Sequence, residues 1–125
     1  MTESYPQLRT TERKVQSHTP VIECPDKVEA GKIFQIKISL GDGLGHPDTT
    51  EHHIRRVSLY YSDNDGKTVR QITGVEFNSH SPDRDACSRY ETIVDAKIAE
   101  SGVLHAMAYC NVHGLAECIR QITVI

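Results

Sequence analysis

Ile33–Leu40 reads IFQIKISL, and its alternation decides the fold class. Phe34, Ile36, Ile38 and Leu40 fall on one face and Gln35, Lys37 and Ser39 on the other, the period of a half-buried strand. Outward from this stretch the same period returns in VIEC (21–24), VSLYY (57–61), VRQITGVEF (69–77), ETIVDAKI (91–98), VLHAMAY (103–109) and IRQITVI (119–125). Between these runs lie stretches such as SDNDGK and SHSPDRD, rich in the Asp, Asn, Gly and Pro that turns require. No pattern of an amphipathic helix is present. About seven short strands at this spacing predict an all-β fold, an immunoglobulin-like antiparallel β-sandwich. Gly74 interrupts the alternation of its strand, which predicts a bulge there.

A chain of 125 residues is long enough for one domain to bury a core without a metal or disulfides, so a metal here would serve function rather than folding. The formal charge of −3 comes without a block of like charge, which speaks against nucleic acid and membrane surfaces as partners. Residues 1–14 are polar and unpatterned and are expected to form a flexible arm, with residues 15–125 as the sandwich domain. The first residues lack an apolar segment, and no run of 18 apolar residues occurs, so the expected location is the cytoplasm. Cys24, Cys87, Cys110 and Cys118 are then expected as thiols. Because no CxxC pair occurs, neither a zinc ribbon nor a rubredoxin-type iron site can be built from them.

Two loops carry the chemistry. In YCNVHG, Cys110 and His113 stand three apart where a strand gives way to Gly114, so both can close on one metal across a short turn. In GHPDTTEHH, His46, His52 and His53 crowd another connection, and His18 in QSHTP precedes a strand whose Pro20 holds the chain extended nearby. One thiolate with three or four imidazoles is too rich in nitrogen for structural zinc and suits iron or copper. A cupredoxin reading needs an axial methionine three residues after the histidine. That position is Ala116, and Met107 lies on the wrong side of Cys110. Strand phasing would pair His46 with His52 and helical phasing His46 with His53, so the loop alone does not select its ligands. Asp48, Thr49 and Glu51 read as a capping arrangement for one helical turn, with Glu51 able to orient a ligand. His53 shares parity with Val57, Leu59 and Tyr61 and should turn inward, while His80 and His105 read as surface or packing residues.

SHTPVIE, GHPDTTEHHIR and AYCNVHGLAE resemble, in order and spacing, the three signature segments of superoxide reductases, the neelaredoxin and desulfoferrodoxin iron proteins. The resemblance runs from about His18 to the C-terminus. It implies the same sandwich and one mononuclear iron per chain, with His18, His46, His52 and His113 equatorial and Cys110 axial. The position opposite Cys110 is left open for superoxide, which is reduced by one electron to hydrogen peroxide as an oxidative-stress detoxification. It further implies an external electron donor such as rubredoxin and a homo-oligomer, a tetramer or dimer. Backbone N–H groups of Val112 and His113 are the candidates to tune the sulfur.

Two departures from the family pattern stand out. Its Glu-Lys before the first histidine is here Gln16-Ser17, which removes an anionic ligand and the cation that would attract superoxide. Lys14 is the candidate substitute for that charge, with Arg55 and Arg56 behind it. Its two tryptophan positions are Arg56 and Ala116, which predicts a more open rim. The alternative reading is a non-enzymatic iron or copper electron-transfer module on the same fold.

Overall fold

The computed structural model describes residues 19–40, 47–80 and 86–125. All eight elements among them are strands: β1 (Pro20–Glu23), β2 (Lys27–Val28), β3 (Phe34–Leu40), β4 (Ile54–Asp63), β5 (Val69–Glu76), β6 (Glu91–Ala96), β7 (Gly102–Cys110) and β8 (Gly114–Val124). They form two sheets, β1-β3-β6 and β2-β8-β7-β4-β5. Every pairing is antiparallel except the two-residue β2, which runs parallel to β8. This eighth strand was not expected, because two residues carry no readable period.

The core follows from the alternation. On β3, Ile36 and Ile38 are fully buried, while Phe34 and Leu40 pack partly buried at its ends. On β7, Gly102, Leu104, Ala106, Ala108 and Cys110 all face inward. Val57, Leu59 and Ile122 lie beside them in the same sheet and Ile22, Ile36 and Ile38 come from the other, and each large aliphatic side chain so buried contributes about 1.5–3 kcal/mol. At Gly102 only glycine fits: a Cβ would run into the Ser62 carbonyl oxygen and come within 2.8 Å of the Tyr61 ring. Arg120 on β8 ties the far edge by donating to the carbonyls of Ile22 and Cys24 and to Asp26 Oδ1.

The bulge predicted at Gly74 lies two residues earlier. Leu59 pairs with Thr73 and Tyr60 with Gln71, so Ile72 is the extra residue and Gly74 stands in regular register opposite Ser58. Glycine at 74 instead leaves room for Gln71, whose Nε2 a Cβ would approach to 2.8 Å. A second irregularity lies at the start of β4, where Ile54 pairs with Cys110 and Arg56 with Tyr109, leaving Arg55 extra. It shifts the side-chain phase of β4 by one, so Ile54 and not His53 joins Val57 and Leu59 on the inner face. His53 is buried, as expected, but for a reason other than parity.

The register also decides which connections meet. Ile54 at the start of β4 lies beside Cys110 at the end of β7, and Glu76 at the end of β5 beside Arg56. In the other sheet Leu40 at the end of β3 pairs with Pro20, and Ser39 with Glu91 at the start of β6. The β3–β4, β5–β6 and β7–β8 connections and the start of β1 therefore share one end of the sandwich.

Candidate metal centre

Cys110 ends β7 on its inward face and is 1% exposed. Three residues turn the chain, and Gly114 opens β8 with φ +85°, a left-handed conformation that glycine adopts without strain. This tight turn folds the His113 main chain back onto the sulfur, and its N–H donates to Cys110 Sγ at 3.4 Å. Val112, the other expected donor, makes no such bond. His113 Nδ1 lies 3.8 Å from the same sulfur, and the His52 and His113 rings meet edge to face at 5.0 Å. Sγ of Cys110 and one ring nitrogen each of His52 and His113 lie within 4.8 Å of one another. Metal–nitrogen and metal–sulfur bonds of about 2.0–2.3 Å span such a triangle, so these residues fit a metal ion, and a thiolate with imidazoles suits a redox metal. His18, His46 and Lys14 lie outside the described residues, as do Gln16 and Ser17.

His52 is presented by a turn without any helix, contrary to the capping expectation. Thr49 N donates to the His52 carbonyl at 2.9 Å and His52 N to the Thr49 carbonyl at 3.2 Å, closing a two-residue turn. The Thr49 hydroxyl also accepts from His52 N at 3.0 Å. Thr49 thus does what Asp48 was expected to do. The Asp48 carboxylate is held elsewhere: Oδ1 accepts from the Tyr90 hydroxyl at 2.8 Å and from His80 Nδ1 at 2.8 Å. Glu51 contributes its main chain, since its carbonyl accepts from Asn111 Nδ2 at 3.0 Å.

Three residues hold this turn against the rest of the sandwich, two of which, Asn111 and Tyr90, carried no signal noted in the sequence. Asn111, between Cys110 and His113, makes three bonds to it: Oδ1 accepts from His53 N at 2.8 Å, its own N–H donates to the His53 carbonyl at 3.1 Å, and Nδ2 reaches Glu51. Its position inside the CxxH turn was the available signal. Tyr90 reaches both ends of the loop, sharing its hydroxyl proton between Asp48 and the Pro47 carbonyl and accepting from Ile54 N at 3.2 Å. Burial pushes its phenol well above the usual tyrosine range; the Ile54 N–H opposes the rise and Asp48 adds to it, so the hydroxyl remains a donor. His80, expected as a surface or packing residue, packs largely buried against Asp48 and His53. His105 is a packing residue as expected, its Nε2 3.2 Å from the Ser62 hydroxyl.

The two tryptophan positions of the family pattern differ in exposure. Ala116 faces inward at 1% exposure. Arg56 is exposed and lies over the Tyr109 ring at 5.3 Å. All four cysteines are free thiols. Burial raises the Cys24 thiol, with nearby Arg120 acting against the rise.

Fold and donor set together define a β-sandwich with a cysteine–histidine metal-ligating end. The sequence model named Desulfoferrodoxin matches residues 10–118. The chain is 34% identical to the neelaredoxin of Megalodesulfovibrio gigas over 94% of this chain and 95% of that protein. It is 33% identical to the superoxide reductase of Pyrococcus furiosus over 88% and 91%. In structure it matches the superoxide reductase (neelaredoxin) of Ignicoccus hospitalis with a TM-score of 0.79 at 32% identity, over 93% of this chain and 88% of that one. The chain belongs to the desulfoferrodoxin family. No helix among the described residues is long and apolar enough to cross a membrane.

Proposed function

We infer that this chain is a superoxide reductase, an oxidoreductase that takes superoxide to hydrogen peroxide. The observation that carries this reading is the buried Cys110 sulfur with His52 and His113 converging on it, in a chain of this family. In our reading iron is held by His18, His46, His52, His113 and Cys110, one ion per chain. What supports the two histidines outside the described residues is sequence adjacency: His18 directly precedes Thr19 and His46 directly precedes Pro47, both at the end where the other three donors lie. Bound iron, cycling between ferrous and ferric, supplies the one electron that converts superoxide and two protons to hydrogen peroxide.

The chain's own residues set the conditions for that chemistry. The His113 N–H bond to Cys110 Sγ draws charge from the sulfur and moderates its electron donation. Burial of the sulfur keeps oxidants away from the thiol. Lys14 supplies the positive charge that steers superoxide inward, the part Ser17 cannot play. Rubredoxin or a similar small donor returns the electron, because this chain contains no second iron-binding cysteine pattern. The free state of all four thiols supports a reducing, cytoplasmic setting, and we assign a homo-oligomer, a dimer or tetramer.

Metal analysis and a superoxide pulse test the reading. We expect one iron per chain, and the ferrous protein mixed anaerobically with superoxide should yield peroxide without oxygen. Stoichiometric copper, or ferrous protein inert to superoxide, would leave a non-enzymatic metal or electron-transfer module instead. In the same pulse, Lys14→Ala should lower the second-order rate and weaken its dependence on salt; an unchanged rate removes Lys14 from the steering role.

A further inference from the structure

The loop that presents His52 is held from one side by an imidazole that the proposed chemistry does not use. His80, in the β5–β6 connection, lies 27 residues after His53 in sequence, yet their rings stack with centroids 3.7 Å apart and planes within 9°. Its Nδ1 donates to Asp48 Oδ1 at 2.8 Å, with the two side chains only 10% and 13% exposed. Such shielding separates this contact from exposed ones such as Lys32–Glu29, at 72% and 61% exposure, where water competes for the same groups.

We propose that His80 is a positioning residue of the metal centre, fixing the Pro47–His53 loop through its hydrogen bond to Asp48 and its stack on His53, so that His52 is presented before metal arrives. This rests on the metal-centre reading above.

The geometry supports the role in three ways. His80 grips both flanks of the turn with one ring, since Asp48 precedes Thr49 and His53 follows His52. Inside those flanks the turn is already closed by the reciprocal Thr49–His52 bonds and by His53 Nδ1 donating to the Thr49 carbonyl at 2.9 Å. A closed turn moves as one piece, so its placement depends on what holds it from outside. Among the described residues those outside holds include Asn111 and the His113 ring from the β7–β8 turn and Tyr90 and His80 from the β5–β6 connection. Removing the His80 ring frees one face of His53 and one of the two donors on Asp48 Oδ1. The turn then has to be ordered when metal binds, and affinity is lost.

The test is cobalt(II) binding to the metal-free full chain, read from the thiolate-to-cobalt absorption in competition with a chelator, with thermal unfolding of the metal-free protein alongside. His80→Ala should weaken cobalt binding several-fold, below the about 10–100-fold cost of losing a direct outer partner of a metal ligand, because His80 acts through Asp48 and His53. His80→Asn keeps an N–H donor for Asp48 at the Nδ1 position and should recover most of that affinity. Unchanged cobalt affinity in His80→Ala overturns the proposal. A loss in His80→Asn as large as in His80→Ala overturns the part assigned to the Asp48 bond, since that bond would then contribute nothing. A parent protein that shows no thiolate–cobalt band sinks the metal-centre reading itself, an outcome separate from either variant result.

Discussion

Cys110→Ser should fold, lose the visible thiolate-to-iron band of the oxidised protein, and lose superoxide reduction by more than the about 10–100-fold typical of an outer partner. Folding should survive because the serine hydroxyl occupies the same 1%-exposed position and can accept the His113 N–H in place of sulfur. Burying the more polar hydroxyl costs about 1–3 kcal/mol at most when it is hydrogen-bonded this way. Activity should not survive because a serine hydroxyl stays protonated where a metal-bound thiol ionises, so the site loses its anionic donor. The measurement is a visible spectrum and an anaerobic superoxide pulse on the iron-loaded variant. A band of unchanged position and intensity would show that Cys110 does not bind the metal.

Asn111→Ala should weaken both the fold and the site, and by coupled amounts. The substitution strips the acceptor from His53 N, a bond of 2.8 Å, and the donor from the Glu51 carbonyl, a bond of 3.0 Å. His53 is 7% exposed, so its abandoned N–H costs about 1–3 kcal/mol of stability, measurable by urea unfolding of the metal-free protein. The same bonds set the distance from the turn bearing His52 to the turn bearing Cys110 and His113. Metal affinity should therefore fall about 10–100-fold as well. Asn111→Asp separates the two bonds: its carboxylate still accepts from His53 N but can no longer donate to Glu51, so it should fall between the parent and Asn111→Ala. Full metal affinity in Asn111→Ala would show that the main-chain bond from Asn111 N to His53 O suffices to hold the two turns together.

Both variants probe a site whose pieces were legible to different degrees. YCNVHG could be read because everything it does is local: a strand end, a three-residue turn and a glycine bring sulfur and imidazole together whatever the rest of the chain does. In GHPDTTEHH the local reading failed at Asp48 and reached the burial of His53 for the wrong reason, and each time structure beyond the loop was the cause. Asp48 has the chemistry of a cap, but Tyr90 and His80, 42 and 32 residues away, compete for its carboxylate, and Thr49 caps instead. His53 was assigned inward by parity, yet the extra residue Arg55 reverses the phase of β4, and His80 buries the ring from another side.

What the sequence by itself determined is the all-β fold and the pairing of Cys110 with His113 across one short turn. Alternation is a nearest-neighbour property of extended chain, so IFQIKISL and its counterparts announce strands and inner faces without reference to any partner. The tertiary structure alone decided the register, the bulges at Arg55 and Ile72, and the outer holds on the turn bearing His52. Those depend on which strand ends meet when the sheets close, and a hydrogen bond from Tyr90 to Asp48, or from His53 to Asn111, exists only after that closure has brought distant residues within 3 Å.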